Sequence, residues 1–555
     1  MVRNIVLCSD GTGSKGIQKR GTNVFKLYEA VDLHGHRNDS GRPQQFAFYD
    51  DGVGTENLKL LKILGGAFGW GLSKNVKQLY ADLVRTYEKG DRIYLFGFSR
   101  GAFTVRTLAG LINTCGIIDR EKLNSDAELL DKVEMAYSKY RSKYRTFIGK
   151  CFREEYNEEW IVDFRNEHSV GDEKIAFIGV WDTVDAVGVP IDELAKFINT
   201  FIYRFKFVDS KLSSEEKVKK LCHALSIDDE RLTFHPVMWD EEGEEDKEDK
   251  KDSRIEQVWF AGVHSNVGGG YPKHGMSLIS LDWMMSKAEQ AGLRLTAKES
   301  KAEKAEPRLT TKDMLRFIDH DRELYRDRRN VTDKLYDSRS GMAVYYRYKP
   351  RDIGGDKFCQ EYHIITPKIH NSVIERILQC TEGYAPGNIP FNCEFVSTDK
   401  NDKNYDQDKN YKKKYDLFIQ IFRKHLNGDN SLLDRVKRWV SIRRYSHYAF
   451  LFTSIIAFSI ILSAKISDSN ITEALKMLFS VSDLIKFIGK DLLFTKQWIW
   501  ILLIPILLVV FYVIGRWARK RMNRVFSEFW YMILKEVEKT KKDSGSLDKT
   551  IGTSD

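Results

Sequence analysis

Short runs rich in β-branched and aromatic residues recur along the first half of the chain: Asn4–Cys8, Gln45–Tyr49, Arg92–Phe98, Lys174–Trp181 and Gln257–Val263. Each stops at a polar or glycine-rich stretch, and together they predict buried strands. Between them, apolar positions at helical spacing predict helices over Ser73–Lys89 and Ala102–Thr114. Strands alternating with longer helical patterns predict an α/β unit with a mainly parallel sheet, whose ligands bind outside the carboxyl ends of the strands. Several insertions interrupt this alternation. Asp119–Phe164 is charged and aromatic at helical spacing and is expected to form a helical cap over the site; Asp240–Asp252 and Lys298–Asp313 are so highly charged that they predict solvated segments.

The pattern changes at the far end. His447–Ala464 and Trp498–Gly515 contain no acid, lysine or arginine, and runs of about 18 apolar residues are just long enough to span a bilayer core. They predict a two-span transmembrane hairpin. Arg435, Lys437, Arg438, Arg443 and Arg444 precede the first run, and Arg516, Arg519, Lys520, Arg521 and Arg524 follow the second, so both termini are expected in the cytoplasm. Within the intervening loop, Glu473–Phe494 reads either as an interfacial helix or as a short surface helix. The chain is thus expected to divide into an α/β domain over 1–395, a charged juxtamembrane linker over 396–446, the hairpin over 447–515 and a basic tail over 516–555.

Composition narrows the class. With 88 Lys and Arg against 79 Asp and Glu, the net charge of +9 is modest for 555 residues, and no basic stripe interleaved with aromatics appears, which argues against nucleic-acid binding. The seven cysteines are scattered and never spaced CxxC, so neither a disulfide framework nor a zinc site is expected. The first apolar run is too short for a cleaved signal peptide.

The candidate chemistry lies at the strand ends. The third run ends in GFSRG, Gly97–Gly101, the spacing of a nucleophile elbow in which a serine sits on a strained turn between strand and helix. Ser99 is therefore the candidate nucleophile. It needs a base, and the base needs an orienting acid, in the chain order serine, acid, histidine. Asp182 follows the fourth run and His264 the fifth. Their rivals are Asp185 for the acid, and His235, His274 and His370 for the base. The backbone N–H of Arg100 is expected to be one oxyanion donor, with Gly11 or Thr12 of the SDGTGSKG loop supplying the other and Asp10 bracing that loop. The same loop lacks the spacing of a phosphate-binding P-loop. No cofactor is called for, and no metal is assigned.

The ordered set SDGTG, NVFKLYEAV, YDDGVGT, GFSRGA, GVWDTVDAVG, ALSIDDER, VWFAGVHSNVGGGY, IHNSVIERI and YAPGNIP resembles, over roughly residues 1–395, the α/β-hydrolase domain of the first class of type VI secretion lipase effectors. The resemblance implies an α/β-hydrolase fold and a serine phospholipase with Ser99, Asp182 and His264 as its triad. One departure is Asn266, where relatives often carry aspartate. With the expected hairpin, it implies an integral protein of a bacterial inner membrane whose catalytic domain is cytoplasmic, with phospholipid as both anchor and substrate. Such an enzyme would call for a regulatory or immunity protein that the sequence does not identify. Another acyl ester or thioester as substrate, or a catalytically silent membrane scaffold, are the alternatives.

Overall fold

The structure is a computed structural model, and it describes residues 2–11, 21–35, 41–52, 67–144, 158–171, 173–184, 217–244, 253–296, 322–398, 409–425, 431–466 and 498–551. Among these residues the centre is one sheet of eight strands: β1 Asn4–Ser9, β2 Gln45–Asp50, β3 Arg92–Phe98, β4 Lys174–Trp181, β5 Leu221–Ser226, β6 Ile255–Phe260, β7 Lys368–His370 and β8 Glu394–Val396. They lie in the order β2-β1-β3-β4-β5-β6-β7-β8, and every pairing is parallel. Chain order reverses at β1, so the crevice beyond the carboxyl ends of β1 and β3 is a topological switch point, where open α/β sheets bind ligands.

Buried strands of this kind are apolar on both faces because helices cover both. On one face, Ile5, Leu7, Ile93, Leu95, Ile178 and Val180 pack under α2 Ala67–Thr86, α3 Arg100–Cys115, α4 Asp126–Ser142 and α5 Glu158–His168. On the other, Val6, Cys8, Tyr94, Phe96, Phe177 and Cys222 pack under α1 Asn23–Ala30 and α7 Gly275–Gln290; α6 His264–Gly268 lies between β6 and α7. The described parts of the segment expected to cap the site, 119–144 and 158–164, instead belong to the first layer. Leu129, Val133, Ala136 and Tyr140 of α4, with Phe164 of α5, share the core of β1, β3 and α3. Asp240 and Glu244, at the start of the run expected to be solvated, are paired with His363 and Arg254. Residues 245–252 and 298–313 lie outside the described residues.

The expected membrane hairpin is not supported. Among the described residues, no helix is long and apolar enough to cross a membrane, which overturns the integral-membrane placement and the orientation built on it. Each apolar run is instead part of a longer helix whose flanking turns dock on the α/β domain. α8 Lys409–Lys424, in the expected linker, buries Tyr415, Phe418, Ile421 and Phe422. In the second turn of α9 Lys437–Ile466, Arg443 donates two hydrogen bonds of 2.7 and 2.6 Å to Glu230. Its next turn is tied by hydrogen bonds from Arg339 to His447 and from Arg347 to Tyr448. α10 Trp498–Ile551 packs against α8 and α9 and buries Met522, Phe526, Phe529, Trp530, Ile533 and Val537 in the same core. Those positions recur at the 3.6-residue period, so the expected basic tail is an amphipathic helix. Glu473–Phe494 lies outside the described residues.

Trp530 is the anchor of this docking. It is 3% exposed, stacks on Phe422 with ring centroids 5.5 Å apart, and donates its indole N–H to the Pro386 carbonyl at 2.8 Å. Trp530→Ala is expected to destabilise the protein by about 3–5 kcal/mol, read as a lower midpoint of denaturant unfolding; a change below about 1 kcal/mol would contradict the docked helix.

Candidate functional site

Three loops meet beyond the strand ends. β3 runs into Ser99, whose φ of +58° and ψ of −119° are unfavourable for a side chain. Surroundings must hold such a residue in place. Its N–H donates to the Trp181 carbonyl at 3.1 Å, and α3 begins at the next residue. The flanking glycines are required by close approach: a Cβ on Gly97 would lie 2.6 Å from Gly101 O, and one on Gly101 would lie 2.0 Å from Ser9 O. Strand, turn and helix can close this tightly only without side chains there. Gly11 sits beside the serine, since a Cβ built on it would lie 3.3 Å from Ser99 Cβ.

Asp182, which follows β4, also has positive φ, +42°, and is fully buried. Its Oδ2 lies 2.6 Å from His264 Nδ1. Its two oxygens also accept from the Ser226 N–H at 2.9 Å and the Ser226 hydroxyl at 3.1 Å. His264 opens α6 rather than ending a strand, because β6 stops at Phe260. The ring is held between Phe98 and Phe234, with centroids 4.6 and 5.0 Å away, and its backbone N–H donates to Asp229 at 3.2 Å. Asp229 in turn is held by Arg231, whose guanidinium lies over the Phe234 ring. The structure therefore brings Asp182 and His264 into direct contact, with Ser99 beside Phe98. Among the described residues no hydrogen bond joins Ser99 to His264; such bonds commonly tighten only when substrate is bound.

The residue that the sequence did not single out is Arg351. Fully buried, it grips Asp182 with both ends of its fork: Nη1 to Oδ1, and Nη2 to Oδ2 at 2.8 Å. It also donates to the Ser226 and Phe234 carbonyls at 2.8 and 2.6 Å. Burial alone would raise the Asp182 pKa, but the Arg351 charge and the His264 hydrogen bond outweigh it and hold the carboxyl well below the usual carboxylate range. Burial also dominates at His264, lowering its pKa from the ordinary 6.5 against the opposing pull of Asp182. The imidazole is thus neutral near pH 7, the form a general base needs. A single arginine in the YKPRD stretch, outside any periodic element, carries no sequence signal of this role.

Around the first loop, Asp10 accepts from the Gly11 N–H at 2.6 Å, the Thr22 hydroxyl at 2.6 Å and the Tyr49 hydroxyl at 2.7 Å. Burial pushes its pKa up to about 6, against those three bonds. Gly11's N–H is therefore engaged by Asp10, while Thr12 lies outside the described residues, as does Asp185. The rival histidines have other partners or places: His235 contacts the Lys349 carbonyl, His370 is held by Ser372 and Thr398, and His274 precedes α7. Asn266 donates to the Lys334 carbonyl at 3.0 Å while its oxygen accepts the Tyr336 N–H at 3.3 Å. An aspartate could not make the first of these bonds.

Residues 3–287, just over half of the chain, match the family described as "T6SS, Phospholipase effector Tle1-like, catalytic domain". The chain belongs to this Tle1-like family. Among curated proteins, an uncharacterized protein of Saccharomyces cerevisiae is 29% identical over 208 residues, which are 35% of this chain and 28% of that protein. The chain thus spans well under two thirds of that relative's length. Of solved structures, one is an uncharacterized protein from Pseudomonas aeruginosa, at 18% identity and a TM-score of 0.31, covering 59% of this chain and 50% of that one. Another is the Tle1 effector bound to the VgrG spike of the type 6 secretion system, at 12% identity and a TM-score of 0.32, covering 62% of this Tle1-like chain and 83% of that one.

Proposed function

We propose that the protein is a serine hydrolase that cleaves acyl esters of glycerophospholipids through an acyl-enzyme. The observation that carries the reading is the 2.6 Å contact between Asp182 and His264 next to a serine held at positive φ. In this reading His264 takes the Ser99 proton as the oxygen attacks the ester carbonyl, and Asp182 stabilises the imidazolium that forms. The imidazolium then protonates the leaving lysolipid alcohol, and water, activated by the same histidine, releases the fatty acid. The Arg100 N–H, at the first residue of α3, points to one oxyanion donor. The second donor would be Gly11, once its N–H is released from Asp10, or Thr12, which lies outside the described residues; Asp10 braces the loop. The phospholipid class rests on family membership, since a triad of this kind serves any acyl transfer.

Incubating the full-length protein with mixed-chain glycerophospholipid vesicles and resolving products by mass spectrometry tests this. Matched release of fatty acid and lysophospholipid by wild type, absent with Ser99→Ala, is expected. Turnover of soluble acyl esters or thioesters with phospholipid untouched would replace the phospholipid reading by the wider acyl-hydrolase one, and turnover of none of them would favour a silent scaffold.

A further inference from the structure

Two stretches of the sequence, ALSIDDER at Ala224–Arg231 and YAPGNIP at Tyr384–Pro390, contain none of the three candidate catalytic side chains. The structure nevertheless ties them to each other and to the loops that carry the catalytic residues. The backbone leaving β5 is zipped to the backbone leaving β6. The Ile227 N–H donates to the Phe260 carbonyl and the Asp228 N–H to the Gly262 carbonyl, each at 3.0 Å, while the Gly262 N–H donates to Asp228 Oδ2 at 2.6 Å. Two residues on, the His264 N–H donates to Asp229. The place of the candidate base is thus set by the segment 227–229.

Asn388 bridges that segment to the residue that grips the acid. It is buried, and its side-chain amide donates to the Ile227 carbonyl at 2.9 Å and to the Arg351 carbonyl at 3.2 Å. One amide therefore reaches both the loop that holds His264 and the backbone of the arginine whose fork holds Asp182. Tyr384 adds a second tie: its hydroxyl donates at 3.0 Å to Asp228 Oδ2, the oxygen that also accepts from Gly262. The stretch is held from behind by α10. Trp530 donates to the Pro386 carbonyl, and Gly387 lies so near Phe526 that a Cβ on it would stand 2.2 Å from the ring. An apolar side chain of the size of asparagine would fill the space of Asn388 and make neither of its bonds. From this arrangement we infer that Asn388, seconded by Tyr384, is a positioning residue of the Ser99, Asp182 and His264 machinery, fixing from one point the loop that carries the base and the arginine that holds the acid. The inference rests on the reading of Ser99 as nucleophile and His264 as its base. A displacement of about 1 Å in such a site costs on the order of 100-fold in rate, so a partial loosening is expected to cost about tenfold.

Asn388→Leu, Asn388→Gln and Tyr384→Phe, made in the full-length protein and assayed for turnover of a chromogenic acyl ester and for the rate of fluorophosphonate labelling, test the role. Asn388→Leu is expected to lower kcat by about tenfold or more with KM within about twofold of wild type, and to slow labelling by a comparable factor. Asn388→Gln keeps the amide and should recover part of the loss. Tyr384→Phe loses one hydroxyl and should lower kcat by about threefold or more. Leu129→Ala, in the separate core under α4, is expected to lower the melting temperature without this loss of kcat, which separates a positional effect from general destabilisation. Should Asn388→Leu fail to fold, Tyr384→Phe carries the comparison. Wild-type kcat in Asn388→Leu, or in Tyr384→Phe where that comparison stands alone, would overturn the inference and leave the triad in place; so would a loss that Asn388→Gln does not relieve and Leu129→Ala matches. A wild-type protein that turns over no ester and takes no label would overturn the triad reading and this inference with it.

Discussion

Ser99→Ala should reduce ester hydrolysis by on the order of 10⁴-fold or more while leaving folding intact. The magnitude follows from the role: without the hydroxyl no acyl-enzyme forms, and only the oxyanion donors and substrate binding remain. Folding survives in this expectation because Ser99 contributes its backbone N–H, not its side chain, to the bond with Trp181. The cost of its positive φ is borne equally by alanine. Steady-state kinetics with a chromogenic acyl ester, alongside circular dichroism, separates the two effects. A loss smaller than about tenfold would sink Ser99 as nucleophile.

Arg351→Met has the second large effect, and it acts on two observables. Removing the guanidinium leaves Asp182 buried without its cation, which is expected to cost about 3–5 kcal/mol of stability. The sign of the pH effect follows from the charges around His264: burial opposes the imidazolium most, Asp182 and Asp229 favour it and Arg231 opposes it, while Arg351 offsets the Asp182 charge. With Arg351 gone, the Asp182 charge acts undiminished on the ring, so the His264 pKa rises. Wild-type kcat/KM should therefore lose activity only as pH falls below the ordinary histidine value of 6.5, and the variant should begin to lose it at higher pH. Arg351→Lys restores a charge without the fork, so it should recover part of the stability and move the acid limb back. A lower melting temperature with an unmoved acid limb would mean that Arg351 is structural and does not position the triad acid.

The carboxyl ends of β3 and β4 were legible because their runs are apolar on both faces, the mark of a strand covered on both sides. Once those ends were located, Ser99 and Asp182 followed from the chemistry of the elbow. His264 was legible with an offset, since GVH continues the apolar pattern although β6 ends at Phe260. β5 was missed because polar His223 interrupts a run of six residues, and β7 and β8 because three residues each give no period. Their strand character comes from pairing with neighbours, which lies outside any local window. Arg351 was illegible for the same reason: its partner Asp182 is 169 positions away.

The C-terminal helices were misread because hydropathy weighs composition over a run and ignores what each side chain touches. Ile506, Val509 and Val513 are exposed, so the run itself contributes little to the docking. The deciding signal lay further on, where Met522, Phe526, Phe529, Trp530, Ile533 and Val537 form a stripe among the basic residues. That stripe shows a helix docked by one face, and reading the segment for its positive charge alone concealed it.

The most direct test of the central claim is where a fluorophosphonate attaches. These reagents phosphonylate a serine only when a neighbouring base activates it. Peptide mapping by mass spectrometry after labelling the folded full-length protein should find a single adduct, on Ser99, that disappears in Ser99→Ala and is strongly slowed in His264→Ala. An adduct on another serine, or none on folded wild-type protein, would contradict the account.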